Sequence, residues 1–215
     1  MNVRTARFLA PWLLVILVAC QPVTATPPPP SPTPAPPFFA DDFRDPSSGW
    51  LTMEDDNGRI AYQDGKMTIR SEGRGSALLT TPGFLLEDAI IEVDVEWVDG
   101  TMDNWMGVLC RMTENEDGYI FLISADGFYL VGLYLDGVAT ALDGPTTSEL
   151  IRTGAAVNHV QVECNGQELR LWVNDTLLSE QTASTLASGD VGLMADSLDG
   201  NPTEVHFDNF VVQRP

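Results

Sequence analysis

Three acidic side chains at alternate positions are the strongest catalytic candidate. Glu92, Asp94 and Glu96 are separated by single valines, and residues at i, i+2 and i+4 of a β-strand project from the same face. Carboxyl groups on one face can hydrolyse a glycosidic bond, because one protonates the leaving oxygen while another acts as nucleophile or base. Alternating acids are also typical of the solvent-facing side of a strand, and we favour that interpretation.

Aromatic and basic side chains form the second candidate set. Trp105, Arg111, Arg170 and Trp172 alternate with apolar residues and are expected to point away from the core, and Tyr119 joins them if its strand is central. Aromatic rings stack on the apolar faces of sugars, and guanidinium groups donate hydrogen bonds to hydroxyl groups or carboxylates. These residues predict a binding surface suited to an acidic sugar. The alternative is a second small core beneath covering loops.

No other pattern in the sequence predicts catalysis. His159 and His206, the two histidines, lie outside any nucleophile elbow or His-Glu-x-x-His pattern, which leaves serine-triad hydrolysis and zinc sites unsupported. We therefore predict no catalytic residues. The formal net charge of −20 excludes nucleic acid as a partner, because phosphates would be repelled. An acidic surface also keeps a domain soluble without any specific role.

The elements that must position these residues are short strands. Apolar residues alternate with polar ones, and pairs such as Asp64-Gly65 and Asp136-Gly137 mark tight turns between them. We predict an all-β fold, a two-sheet antiparallel β-sandwich. The predicted strands are Arg59–Tyr62, Lys66–Arg70, Ser76–Thr80, Ala89–Val98, Trp105–Met112, Tyr119–Ser124, Phe128–Leu135, Val138–Leu142, Val157–Cys164, Glu168–Val173, Val191–Ala195 and Glu204–Val212.

Alternation also predicts which side chains enter the core. Ile91, Val93 and Val95 are expected to point inward from the acidic strand. Two strands, Tyr119–Ser124 and Phe128–Leu135, are apolar on both faces. We expect them to be central strands that are covered on both sides, or to line a groove with one face.

Several segments resemble concanavalin A-like jelly-roll domains. They are similar in particular to bacterial surface lipoproteins grouped with the 3-keto-disaccharide hydrolase domain. The resemblance extends over nearly all of 38–215 and implies a jelly-roll fold, but its motifs are mostly turns and strand ends, which specify the fold rather than an activity. Segments that carry it include DDFRDPSSGW (41–50), GVLCRM (107–112), DGYIFLISADGFYLVGLYLDG (117–137), SGDVGLMA (188–195) and FDNFVV (207–212).

The resemblance also bears on the acidic strand. Family 16 glycoside hydrolases share the jelly-roll fold, and their catalytic strand reads E-x-D-x-E after a segment with the pattern W-x-A-x-W. Here the acidic strand that contains Glu92 precedes the corresponding segment, Trp105–Met112. The resemblance therefore implies that the acidic strand takes the place of an earlier, non-catalytic one.

A structural calcium ion is a further implication of the resemblance. In similar glycan-active domains an Asp of the closing strand joins backbone carbonyl oxygens near the opening segment to hold calcium. The matching positions are Asp208 and the pair Asp41 and Asp42, and carboxylate oxygens suit calcium better than zinc. Asp208 could instead hydrogen-bond a turn.

The amino terminus resembles the export signal of a bacterial lipoprotein. In residues 1–20 a short basic region precedes an apolar run that is too short to span a bilayer, and the run ends in Leu-Val-Ala-Cys. We predict lipidation of Cys20, a proline-rich linker over 21–37 and a jelly roll over 38–215. The protein would be exported and anchored at the cell surface or in the periplasm. An ordinary signal peptide with a chance cysteine is the alternative.

The remaining cysteines predict a disulfide between Cys110 and Cys164. Both lie at inward positions of long strands, and an exported protein meets an oxidising compartment. The alternative is two buried thiols that pack as small apolar groups.

Together these observations predict a lipid-anchored extracellular module that binds carbohydrate or a cell-surface partner without catalysis. A glycoside or keto-sugar hydrolase of the concanavalin A-like superfamily is the first alternative. The second is an accessory subunit of a membrane-bound assembly.

Overall fold

Alternating apolar residues and tight turns give a chain built from strands. A computed structural model describes residues 36–73, 75 and 77–215; the predicted signal, Cys20 and all of the linker up to residue 35 lie outside the described residues. The strands are β1 Phe39–Asp41, β2 Met53–Asp55, β3 Gly58–Gln63, β4 Lys66–Ser71, β5 Leu78–Thr80, β6 Ala89–Gly100, β7 Asn104–Met112, β8 Gly118–Ile123, β9 Phe128–Leu135, β10 Val138–Thr147, β11 Asn158–Asn165, β12 Glu168–Val173, β13 Thr176–Thr182, β14 Asp190–Ser197 and β15 Thr203–Gln213.

Two antiparallel sheets contain all of these strands. The nine-stranded sheet has the order β13-β12-β11-β6-β15-β4-β3-β2, with β1 paired to β15, and the six-stranded sheet has the order β10-β9-β8-β7-β14-β5. This arrangement confirms the predicted two-sheet β-sandwich. Within the described residues no helix is long and apolar enough to cross a membrane.

The core lies between the two sheets. Ile91, Val93 and Val95 of β6 are fully buried, as alternation predicted, and they share one apolar cluster with Met106 and Val108 of β7. Burial of such side chains is the main favourable contribution to folding.

A disulfide joins the sheets through this core. Cys110 of β7 is bonded to Cys164 of β11, with 6.8 Å between their Cα atoms. The predicted disulfide is therefore confirmed, and it links the six-stranded sheet to the nine-stranded one.

Two β-bulges interrupt the alternation on which the predictions relied. Arg111 has a φ of 53° beside a register shift between β7 and β14, and Asn209 has a φ of 54° beside a shift between β15 and β6. A bulge inserts an extra residue and re-aims the side chains around it. On β15 the bulge allows Phe207 and Phe210, three residues apart, both to be fully buried.

Three strands were absent from the prediction. Strands β1 and β2 have only three residues each, and β13 is a largely exposed strand at the edge of the nine-stranded sheet. Short or exposed strands show little apolar alternation in the sequence. They form because they pair with a neighbouring strand.

Candidate functional site

The outer face of the six-stranded sheet carries a second apolar cluster, separate from the core. Leu109 of β7, Ile120 and Leu122 of β8 and Met194 of β14 form it, and each is at most 7% exposed. These side chains are the floor of a recess of about 440 Å³, which we call the groove. The two strands that were apolar on both faces therefore line a groove with their outer faces, one of the two predicted arrangements.

Glycines beneath the floor allow its side chains to lie flat. A Cβ atom on Gly192 would come within 3.3 Å of Leu109 Cδ1 and within 2.8 Å of the Thr80 carbonyl oxygen. At Gly132 a Cβ would lie 3.4 Å from Ile120 Cγ1. Larger residues at either position would push the floor outward, and the groove would become shallower.

Three half-buried polar side chains line the same recess. Trp105 of β7 and Asp196 of β14 are directly paired in the register of the two strands, and Tyr134 belongs to β9. Among the described residues, no hydrogen bond or ion pair engages the indole N–H of Trp105 or the hydroxyl of Tyr134. The groove thus combines an apolar floor with polar groups that remain available to a ligand.

Asp196 is a partly buried carboxyl group in this groove. Burial raises its pKa above the ordinary aspartate value, and a hydrogen bond from the backbone N–H of Ser197 at 2.8 Å opposes the shift. Burial disfavours the charged form of a carboxyl group unless a cation compensates it. No ion pair reaches Asp196 from the described residues.

A second recess of about 640 Å³ extends the groove. The two recesses share Leu79 and Glu116, and the second is also lined by Phe84 and by Leu85, which is 79% exposed. A continuous surface of this kind can contact a ligand longer than a single sugar ring.

Of the five predicted ligand residues, the structure places Trp105 in the groove and buries two others. Arg111 is 3% exposed because its bulge turns it sideways, and its guanidinium donates to the carbonyl oxygens of Glu87 and Leu186 and to Asp88 Oδ1. Tyr119 is directly paired with Cys110 and therefore shares its inward face. It is fully buried.

The other two predicted ligand residues lie on the opposite face of the sandwich. Arg170 and Trp172 point outward from β12 of the nine-stranded sheet. Arg170 forms ion pairs with Glu163, Glu168 and Glu180 at 2.6–3.1 Å. The alternation rule correctly placed both residues outside the core, but it could not indicate that their sheet faces away from Trp105. The five residues do not form one binding surface.

The acidic strand also lies on the outer face of the nine-stranded sheet. Asp94 contacts His159 Nδ1 at 2.9 Å and accepts a hydrogen bond from Asn209, and Glu96 forms an ion pair with Lys66 at 2.8 Å. These carboxylates interact with neighbouring strands and point away from the groove.

Protein groups already engage the predicted calcium ligands. Asp41 is buried and accepts hydrogen bonds from the Phe43 N–H, the Trp50 indole and the Ser48 hydroxyl. Asp208 accepts a hydrogen bond from the Asn209 N–H and Asp42 pairs with Arg44. The described residues contain no group of three or more His, Cys, Asp or Glu that could hold a metal ion. The predicted site also uses backbone carbonyl oxygens, and calcium binding stays a prediction.

Tyr134, Asp196 and the apolar floor were missed by sequence reasoning. The sequence pattern that pointed to the groove was the apolar character of β8 and β9 on both faces. This pattern did not indicate which other residues line the groove. Asp196 had no sequence signal, because its role depends on the pairing of β14 with β7.

Solved structures of other proteins share this architecture. No family model and no curated protein matches the chain. The carbohydrate-binding module CBM66 from Bacillus subtilis is 18% identical, over 77% of this chain and 96% of that one, with a TM-score of 0.55. A Bacillus subtilis protein of unknown function with a galectin-like fold is 11% identical, over 84% of this chain and 96% of that one, with a TM-score of 0.60. The β-glucanase of Bacillus licheniformis is 9% identical, over 82% of this chain and 98% of that one, with a TM-score of 0.59.

The domain has the concanavalin A-like jelly-roll fold. The predicted fold is therefore confirmed. The narrower resemblance to the 3-keto-disaccharide hydrolase domain stays a prediction. In this jelly roll the groove occupies the outer face of the six-stranded sheet, and the ion-paired acidic strand occupies the other outer face.

Proposed function

We propose that the jelly roll is a glycan-binding module and that the glycan lies in the groove. The observation that carries this proposal is the apolar floor with Trp105 and Tyr134 on the same recess. The names of two similar structures, a carbohydrate-binding module and a β-glucanase, support a glycan as the ligand class.

The groove offers both kinds of contact that a sugar needs. An aromatic ring stacks on the apolar face of a pyranose, and the indole N–H, the tyrosine hydroxyl and the carboxyl group can hydrogen-bond its hydroxyl groups. Because the two recesses share Leu79 and Glu116, the ligand would be an oligosaccharide or a polysaccharide chain.

The two outward tryptophans provide a matched test. The purified domain is screened on a glycan array, and the best ligand is titrated by calorimetry against Trp105→Ala and Trp172→Ala. We expect Trp105→Ala to weaken binding at least tenfold, about 1.4 kcal/mol, and Trp172→Ala on the opposite sheet to leave it unchanged. An equal loss in both variants, or no glycan binding at all, would contradict the proposal.

A hydrolase is the second candidate, favoured by one observation: Asp196 and Glu116 both line the groove. A raised pKa at Asp196 suits a general acid. A reducing-sugar assay on the glycans that bind distinguishes the candidates. Activity that Asp196→Asn and Glu116→Gln remove, while Glu92→Gln retains it, would make the protein an enzyme.

We also propose that Cys20 carries a lipid that tethers the module to a membrane. Two or more acyl chains hold a protein stably at a bilayer, whereas one gives marginal binding. Cys20→Ala should therefore move the protein from the membrane fraction to the soluble fraction or leave it unprocessed. A variant of mature size that still sediments with membranes would refute the tether.

A further inference from the structure

The charged side chains that line the groove and its extension, among the residues that the structure describes, are all acidic. The described residues that line its two recesses include Glu116, Asp196, Glu114 and Asp190, and none of them is Lys, Arg or His. The sequence suggested an acidic sugar because of Arg111 and Arg170. Arg111 instead donates to a backbone carbonyl oxygen, and Arg170 forms ion pairs on the other sheet. A carboxylate-bearing sugar would therefore enter an apolar recess beside like charges, and the described lining residues offer it no cation.

Asp196 is the carboxylate of the groove that is paired with an aromatic residue across neighbouring strands. It stands directly opposite Trp105 in the register of β14 and β7, and its described partner is the Ser197 N–H. A half-buried carboxylate without a cation retains part of its desolvation cost, which a ligand cation would offset. An indole ring attracts the same cation through its electron-rich face.

We infer that the groove selects a glycan with a free, protonated amino group, with the ammonium held between Trp105 and Asp196. The inference rests on the proposed function and names the ligand class of the same site. An ammonium has three N–H donors. It can donate to Asp196 while the apolar face of the sugar stacks on Trp105. The net charge of −20 on the chain would also raise the local concentration of such a ligand.

Three β-1,4-linked tetrasaccharides provide the test, because they differ only at C2: one carries hydroxyl groups, one acetamido groups and one ammonium groups. Their dissociation constants are measured by calorimetry at a pH where the amine is protonated and Asp196 is ionised. We expect the ammonium ligand to bind roughly tenfold more tightly than the hydroxyl ligand, as for a charge-assisted hydrogen bond. This comparison of three ligands needs only the unaltered protein.

Two charge-matched variants assign the effect. Asp196→Asn keeps the size of the side chain and should reduce the ammonium preference to less than about twofold, whereas Glu92→Gln on the other sheet should retain it. Equal affinities, tighter binding of the acetamido ligand, failure of the ammonium ligand to bind, or a preference that survives Asp196→Asn would overturn the inference. If glycans still bind through Trp105 in those cases, the proposed function stands and only the ligand class is wrong.

Discussion

The two outer faces of this sandwich show opposite ways of managing polar groups. On the nine-stranded sheet, Arg170 contacts three carboxylates and Lys66 contacts Glu96 at 2.8 Å. On the six-stranded sheet, the groove has an apolar floor and a half-buried carboxylate, Asp196, without an ion pair among the described residues. The chemistry of the side chains therefore separates the two faces.

The difference shows why an acidic or aromatic residue alone does not identify a site. Charged pairs across neighbouring strands satisfy each other and contribute modestly to the sheet. Apolar and polar groups that remain unmatched on a recessed face are available to a ligand. Trp172 and Trp105 have similar alternation in the sequence, yet only Trp105 lies in the groove.

The largest expected effect comes from removing the disulfide that joins the two sheets. Replacing both Cys110 and Cys164 by Ala removes the link between the sheets, and the 54-residue separation predicts a loss of about 3–4 kcal/mol in the free energy of unfolding. For a domain of this size the melting temperature should fall by about 10 °C. Scanning calorimetry of both proteins measures the shift. A double variant that melts within about 2 °C of the parent would show that core packing alone holds the sheets together.

The two arginines that were predicted as ligands should differ sharply in their contribution to stability. Arg111→Met removes a buried guanidinium that donates to the carbonyl oxygens of Glu87 and Leu186 and to Asp88, and we expect a loss of about 2–4 kcal/mol in the free energy of unfolding. Arg170→Met removes surface ion pairs, and the melting temperature should stay within about 2 °C. Urea unfolding of the two variants, followed by fluorescence, compares them. Equal losses would mean that exposed pairs on the nine-stranded sheet matter as much as buried contacts.

Asp196 should carry a small stability cost that depends on pH. Because burial raises its pKa in the folded protein, the folded state binds the proton more tightly than the unfolded chain does. The ionised carboxylate therefore opposes folding at pH values above the folded pKa, and this cost disappears below the ordinary value of about 3.9. Asp196→Asn should raise the melting temperature at pH 7 by up to about 2 °C, with no difference near pH 3.

Glu92→Gln is the matched control for the pH experiment, because Glu92 is also a carboxyl group on a strand but lies on the opposite sheet. A lower melting temperature of Asp196→Asn at pH 7 would mean that a cation already compensates Asp196.

The smallest effect concerns calcium. Because hydrogen bonds already occupy Asp41, we expect EDTA to change the melting temperature by less than about 1 °C. A fall of several degrees that added calcium reverses would establish the metal site, and Asp208→Ala would then show whether the closing strand contributes to it.

Two bulges mark the limit of sequence-based reasoning about the site. Alternation correctly placed Ile91, Val93 and Val95 in the core and Trp105 outside it. It failed at Arg111, because a residue with a φ of 53° at a bulge no longer follows the pleat of the strand. The carboxylate that matters in the groove, Asp196, has an ordinary sequence context.

Local patterns in the sequence were enough to predict every strand except β1, β2 and β13, most of the inward faces, and the cysteine pair, because these features follow from alternation and turn chemistry. Long-range pairing settled which sheet each strand joined, and therefore which outward residues share a surface. Trp105 and Trp172 look alike in the sequence, but β7 and β12 belong to opposite sheets. Pairing of β7 with β14 then brought Asp196 beside Trp105 across 90 residues of chain, a contact that no local pattern encodes.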